Sequence, residues 1–210
     1  MNPETMIDTQ VNTYLLPAMF NAAVRAGAAI MKIHGNKDDY DISLKSDKTP
    51  ITLADRTAHR TIREALGHTR IPILSEEGRE MRYDERRNWE LYWLVDPLDG
   101  TAEFIEGYNE FTVNIALMEN NRCIAAVIYV PYFEKMYLAG EGRGAFLKRG
   151  VKAEADAAYD YMAIGAIRAL WEAGLRVPED VSIIGLDGLA LGKYLIPQLS
   201  TVRQNFQAIA

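Results

Sequence analysis

The sequence is poor in the residues that build disulfides and zinc sites. It contains a single cysteine, Cys123, so an intrachain disulfide is excluded and a reducing compartment is favoured. Its three histidines, His34, His59 and His68, lack the spacing of zinc ligands. No Ser/His or Cys/His arrangement stands out that would form a covalent intermediate. We therefore expect neither a zinc centre nor nucleophilic catalysis.

Basic residues and long apolar runs are also scarce. Lys and Arg number 23 against 29 Asp and Glu, a net charge of −6, which argues against a nucleic-acid partner. The longest apolar segment, residues 15–33, contains Pro17, Arg25 and Lys32 and is typical of an amphipathic helix rather than a membrane span. The amino-terminal residues lack the pattern of a signal peptide. We expect a cytoplasmic protein without membrane contact.

Hydrophobic periodicity predicts two helices and a set of strands in the first 150 residues. A helical pattern covers residues 10–33, and Thr52 with Asp55 forms a capping-box-like start for a second helix that ends near Gly67. The last four predicted strands follow one another at hairpin spacing. Strands are predicted at residues 40–44, 71–74, 91–95, 111–118, 123–130, 135–139 and 145–148. This pattern indicates two helices packed on a largely antiparallel sheet.

Beyond residue 150 the pattern changes. A helix is predicted over residues 162–173 and an apolar strand over 181–186, followed by Asp187. A helix–strand–helix order is typical of doubly wound α/β folds and not of hairpins. We therefore predict an α+β fold with two domains, one of helices packed on a largely antiparallel sheet at residues 1–150 and an α/β segment at residues 151–210.

One segment concentrates groups suited to metal and phosphate binding. The apolar run that ends at Val95 is followed by two carboxylates, Asp96 and Asp99, and then by Gly100 and Thr101. Carboxylates at this spacing can hold divalent cations, and a helix that starts near Gly100 offers backbone N–H groups to a phosphate. The segment indicates metal-assisted phosphoryl chemistry.

Further oxygen donors come from other parts of the chain. Glu76 ends a predicted neighbouring strand, Asp55 lies in the first turn of the second helix, and Leu98 supplies a backbone carbonyl. A purely oxygen donor set favours Mg²⁺ over Zn²⁺. Thr101, hydrogen-bonded to Asp55, could orient a water molecule and take its proton.

Each of these residues also has an ordinary interpretation when taken alone. Asp55 is equally typical of a helix-capping residue, and Glu76 of an acidic loop. Asp99 followed by Gly100 is a common turn sequence. The functional interpretation therefore depends on the whole group.

Four segments carry a resemblance to a known family: residues 45–55, 73–78, 96–105 and 110–117. In this order they resemble the inositol monophosphatase superfamily, and within it the 3'(2'),5'-bisphosphate nucleotidases of the CysQ type, over about residues 10–149. The implied substrate is a small phosphomonoester, 3'-phosphoadenosine 5'-phosphate, and lithium sensitivity is expected. Ala102 stands where this branch commonly has Lys, which affects the expected substrate preference.

The resemblance also implies roles for individual residues. It implies Mg²⁺ ligands at Glu76, Asp96, Asp99 and the carbonyl of Leu98. It implies water activation by Asp55 with Thr101. The implied substrate-binding residues are Glu76, Asp99, Gly100 and Thr101.

The carboxyl-terminal part departs from that family. The family's Trp-Asp-x-Ala-Ala motif, which supplies another metal ligand, is absent, and Glu172 is its nearest counterpart. Residues 155–210 resemble instead the effector-binding domain of lac-repressor-type regulators, in which the residue matching Asp187 contacts a sugar or purine. The chain therefore resembles a chimera, with the last segment burying apolar surface.

Three functions remain open at this point. The first is a Mg²⁺-dependent phosphatase, and the second is a non-catalytic scaffold that lacks the last metal ligand. The third is sugar or purine binding through Asp160 and Asp187. The sequence gives no indication of the oligomeric state.

Overall fold

A computed structural model describes residues 15–141 and 144–152, and two further short strands at residues 184–186 and 200–202. The chain divides into two compact units, one of Ala18–Glu154 and one of Met1–Pro17 with Ala155–Ala210. None of the described helices combines the length and apolar character needed to cross a membrane.

A six-stranded sheet forms the centre of the first unit. Its strands are neighbours in the order in which they occur in the chain. The first two strands pair in parallel, and every other pair is antiparallel. The strands are β3 (Ile73–Ser75), β4 (Leu91–Asp99), β5 (Thr112–Glu119), β6 (Arg122–Val130), β7 (Lys135–Gly140) and β8 (Gly144–Arg149). The predicted mixed, largely antiparallel fold is confirmed.

Helices and short elements precede or interrupt this sheet. The two long helices are α1 (Leu16–Ile33) and α2 (Leu53–Leu66), and between them β1 (Ser43–Leu44) pairs with β2 (Pro50–Ile51) in an antiparallel hairpin. The short helices are α3 (Tyr83–Arg86) and α4 (Thr101–Glu106).

The two long helices are fixed to the sheet by close contacts. In α1, a Cβ atom added to Gly27 would lie 2.4 Å from Cε1 of Tyr129 in β6, so only a glycine allows this approach. Just after α2, Thr69 accepts a 3.1 Å hydrogen bond from the indole N–H of Trp93 in β4. Because Trp93 is fully buried, this bond satisfies a donor that water cannot reach.

The two faces of the sheet differ in exposure. One face carries fully buried side chains such as Trp93, Ile115 and Val127. On the opposite face, Ile128, Tyr137 and Leu147 are cross-strand neighbours and are between 43% and 45% exposed. Side chains alternate along a strand, so a one-sided core leaves the other face open within the described part of the chain.

Three local predictions differ from the observed elements. The predicted strand at residues 40–44 is reduced to β1, because Tyr40 is buried at the end of a 3-10 turn. The predicted strand at 91–95 continues to Asp99, with an irregularity in its pairing between Asp96 and Asp99. A one-turn helix, α3, occurs between β3 and β4, where no helix is predicted.

The carboxyl-terminal prediction is only partly covered by the structure. The predicted helix at residues 162–173 lies outside the described residues, as do Asp160, Glu172 and Asp187. The described strands β9 (Ile184–Leu186) and β10 (Ser200–Val202) pair in parallel.

Replacing Gly27 with alanine should destabilise the protein, because the new methyl group would collide with the ring of Tyr129. We expect a loss of about 1–3 kcal/mol in the free energy of unfolding, measured by urea denaturation. The matched control is Gly67→Ala, since a Cβ atom at Gly67 meets nothing within 4 Å. The control should be neutral or slightly stabilising, and equal losses in both variants would contradict the proposed contact.

Candidate active site

The parallel pairing of β3 with β4 brings two acidic strand ends to the same edge of the sheet. Ser75 lies opposite Val95, and the backbone N–H of Glu76 donates to the carbonyl of Val95 at 3.0 Å. The chain of β3 thus ends in Glu76 beside the point where β4 reaches Asp96. Both carboxylates therefore leave the sheet at the same edge.

Asp55 joins helix α2 to the turn that follows β4. Its Oδ2 atom accepts from the backbone N–H of Thr52 at 2.7 Å and from the Thr52 hydroxyl, which completes a capping box. Its Oδ1 atom accepts from the hydroxyl of Thr101 at 2.8 Å. The capping role and the contact with Thr101 are thus compatible, because each carboxylate oxygen serves one of them.

The turn that carries Thr101 depends on Gly100. Gly100 has a φ of +96°, a region that other residues rarely adopt, and an added Cβ atom would lie 2.7 Å from the carbonyl oxygen of Glu110. Helix α4 begins directly afterwards at Thr101, as the sequence predicts. The Thr101 hydroxyl also lies 3.3 Å from the carbonyl oxygen of Leu98. The turn therefore places Thr101 and the Leu98 carbonyl together.

Asp96 has a raised pKa and a buried oxygen atom without a hydrogen-bond partner. Burial raises its pKa to about 7, and repulsion from the neighbouring carboxylates of Glu76 and Asp99 adds to the shift. Its Oδ1 atom is buried and has no hydrogen-bond partner. A bound cation would satisfy this oxygen and remove the repulsion.

Two polar neighbours contact these carboxylates. The ammonium group of Lys45 lies 2.8 Å from Oε1 of Glu76 and 2.6 Å from Oε1 of Glu77. Burial alone would lower the pKa of Lys45, but its hydrogen bonds to these two carboxylates raise it. On the other side, the side-chain amide of Asn114 donates to Asp99 at 3.2 Å.

Among the described residues, the side chains of Asp, Glu, His and Cys do not form a group of three or more that could hold a metal ion in their observed positions. Lys45 contacts one of the predicted ligands, Glu76, and Asn114 contacts another, Asp99. The donor set still fits a hard cation, because it consists of carboxylate and carbonyl oxygens and includes the unpartnered oxygen of Asp96.

Sequence reasoning missed several of these contacts. Neither Lys45 nor Asn114 was singled out, because their partners lie at distant positions and no local spacing indicates them. A Ser/His contact was also not expected, yet Nδ1 of His59 lies 2.8 Å from the hydroxyl of Ser75. The available signal was the spacing of four residues between Asp55 and His59. Such residues share one face of a helix, so a site at Asp55 places His59 close to it.

Replacing Asp96 with asparagine should change how the stability of the metal-free protein depends on pH. The pKa of Asp96 is about 7 in the folded protein and about 4 in an unfolded chain. The folded state therefore holds the proton more tightly, so the stabilisation is complete below about pH 4 and is lost as the pH rises to about 7. Asn carries no charge and escapes this loss.

In EDTA, the Asp96→Asn variant should melt about 2–4 °C above the wild type at pH 8, with a smaller difference at pH 5. Scanning calorimetry measures both values. The control is Asp84→Asn, at an exposed position of α3, for which no growing difference is expected. A constant difference between pH 5 and pH 8 for Asp96→Asn would contradict the raised pKa of Asp96.

The chain is similar in sequence to two curated CysQ proteins. The CysQ 3'(2'),5'-bisphosphate nucleotidase of Escherichia coli K12 is 41% identical over 140 residues, which cover 66% of this chain and 56% of that protein. The CysQ of Buchnera aphidicola is 43% identical over 127 residues, 60% of this chain and 48% of the relative. The chain thus spans about half the length of the curated relatives it matches.

Two solved structures share the fold. The CysQ structure from Bacteroides thetaiotaomicron has a TM-score of 0.59 at 38% identity, covering 82% of this chain and 62% of that one. The SuhB extragenic suppressor protein from Bartonella henselae also has a TM-score of 0.59, at 32% identity, covering 64% and 52%.

Two family models match the sequence. A periplasmic binding protein-like domain matches residues 152–210. The inositol monophosphatase family matches residues 12–176, which is well over half of the chain and includes every residue of the candidate site. This protein therefore belongs to the inositol monophosphatase family.

Proposed function

We propose that this chain hydrolyses a small phosphomonoester with the help of Mg²⁺, and that the substrate is 3'-phosphoadenosine 5'-phosphate. The observation that carries the proposal is the hydrogen bond between Thr101 and the buried Asp55, because Thr101 lies two residues after Asp99 at the end of β4. The substrate follows from the similarity to CysQ nucleotidases.

The proposed metal ligands are Glu76, Asp96, Asp99 and the carbonyl of Leu98. Oxygen ligands of this kind suit Mg²⁺, and the buried, unpartnered Oδ1 of Asp96 supports a cation at this place. When bound, the ion would lower the pKa of a water molecule and stabilise the leaving oxygen of the ester. Ligation also requires Asp96 to be ionised, so binding should release a proton near neutral pH.

Thr101 and Asp55 are proposed to activate the attacking water. When the Thr101 hydroxyl donates its proton to Asp55, its oxygen lone pairs face outward as acceptors for a water proton. Asp55 is fully buried, so it acts through Thr101 and not on the water directly. Its second oxygen is held by Thr52, which fixes the orientation of the carboxylate.

Substrate binding is proposed at the end of the same turn. The backbone N–H groups at Gly100 and Thr101 are suited to a phosphate, and Glu76 and Asp99 would contact it through the bound ions. No nucleic-acid partner is proposed, since the net charge is −6. The proposed location is the cytoplasm, in line with the single cysteine.

Activity should depend on the hydroxyl of Thr101. With Mg²⁺ present, Thr101→Val should lower kcat for phosphate release from 3'-phosphoadenosine 5'-phosphate by about 10²–10⁴-fold, since proton transfer from the water loses its acceptor. Thr101→Ser keeps the hydroxyl and should retain most of the activity. Li⁺ should inhibit the wild type.

Asp99→Asn serves as the background control for this assay, because it removes a proposed metal ligand. Phosphate release by the wild type that is no faster than release by Asp99→Asn would overturn the hydrolase proposal. Equal rates for Thr101→Val and Thr101→Ser would overturn only the proposed role of the hydroxyl.

A second candidate is a non-catalytic scaffold formed by recombination. It is favoured by the periplasmic binding protein-like match at residues 152–210 and by the partial coverage of the relatives. On this view the family's last metal-binding motif has been replaced, and the remaining ligands bind Mg²⁺ weakly. The domain boundary proposed for this event is residue 150.

Titration calorimetry separates the two candidates. The hydrolase predicts saturable Mg²⁺ binding that is lost in Asp99→Asn, whereas the scaffold predicts weak or absent Mg²⁺ binding together with a cooperative thermal transition. A thermal-shift screen with sugars and purines tests the third possibility, ligand binding through Asp160 and Asp187. A screen without any shift would exclude it.

A further inference from the structure

Helix α2 carries two polar residues that contact different parts of the site. Asp55 and His59 are four residues apart, so they lie one above the other on the same helical face. Asp55 is bonded to Thr101, in the turn after β4. His59 contacts Ser75, the last residue of β3. One helix thus touches both acidic segments.

The contact between His59 and Ser75 is short and partly shielded from water. Nδ1 of the imidazole lies 2.8 Å from the Ser75 hydroxyl oxygen, and both residues are partly buried. Burial lowers the pKa of His59, and the nearby guanidinium of Arg63 adds to this effect. The ring is therefore neutral near pH 7 and adds no positive charge to a cation site.

The same contact lies at the base of the turn that carries Glu76 and Glu77. The backbone N–H of Gly78 donates to the carbonyl of Ser75 at 3.0 Å, which closes the turn. A Cβ atom added to Gly78 would lie 3.8 Å from Cε1 of His59, so the turn packs against the imidazole ring.

Two bonds on different sides therefore fix the start of this turn. On the side of the sheet, the N–H of Glu76 is bonded to Val95 of β4. On the side of the helix, the Ser75 hydroxyl is bonded to His59. The second bond links α2 to the first residue of the acidic turn.

We infer that His59 and Ser75 are positioning residues that hold the Glu76 turn at the distance from Asp55 and Thr101 that cation binding requires. The inference rests on the proposed function, because it assigns these residues to the proposed metal site. Neither residue touches the reacting groups. Their role is to keep the Glu76 carboxylate in register with the proposed ligands in the last part of β4.

The test measures Mn²⁺ affinity by electron paramagnetic resonance, which does not depend on turnover. Ser75→Ala and His59→Leu should each weaken Mn²⁺ binding about tenfold, the effect expected when a supporting partner of a ligand is lost. The double variant should be no weaker than either single variant, since both remove the same bond. The matched control is Thr61→Val, which removes another hydroxyl bond of α2 and should leave the affinity unchanged.

Conservative variants distinguish positioning from general stability. His59→Asn can place its amide nitrogen near the position of Nδ1 and should stay within about threefold of the wild type, whereas His59→Gln should lose about tenfold. This pair keeps the test decisive if Ser75→Ala or His59→Leu fails to fold, because both variants are polar. Melting curves recorded in EDTA check that each variant is folded.

Three outcomes decide the inference. Weaker Mn²⁺ binding in Ser75→Ala and His59→Leu, with the affinity kept in His59→Asn and Thr61→Val, supports it. Wild-type affinity in Ser75→Ala and His59→Leu overturns it and leaves the proposed function intact. A wild-type protein that binds no Mn²⁺ overturns both.

Discussion

The parallel pairing of β3 with β4 is the constraint on which the candidate site depends. Neighbouring parallel strands have their carboxyl ends at the same edge of a sheet. Here β3 is followed by Glu76, and the last part of β4 contains Asp96 and Asp99. The register, with Ser75 opposite Val95, sets Glu76 beside Asp96. All other pairs of the six-stranded sheet are antiparallel, so β3 and β4 are its one pair of neighbouring strands that run in the same direction.

The consequence of this convergence is electrostatic. Carboxylates gathered at one edge repel one another, and this repulsion adds to burial in raising the pKa of Asp96. Lys45 offsets part of it at Glu76 and Glu77, and Asn114 donates to Asp99. The fold therefore tolerates an acidic cluster that is less stable without a cation than with one. Such a balance is typical of sites selected for binding and not for stability.

The sequence predicted the elements whose signals are local. The Thr52–Asp55 cap starts α2 as expected, and the hairpin spacing placed β5 to β8 within one or two residues. It did not predict the contacts of Lys45 or the bond between His59 and Ser75, because these join residues 16 or more positions apart. The extension of β4 to Asp99 was also missed, since charged residues and a proline conceal a strand held by its neighbours. Tertiary pairing, not local propensity, decides such cases.

The central question is whether Glu76, Asp96 and Asp99 together hold a cation. Family membership and the Thr101–Asp55 bond support this, while the chain spans about half the length of its curated relatives. The most direct measurement is anomalous diffraction from a crystal soaked with Mn²⁺ and phosphate. The account predicts an anomalous peak bonded to Glu76, Asp96 and Asp99, with Lys45 displaced from Glu76. Lys45 still paired with Glu76, and no peak within bonding distance of Asp96, would contradict it.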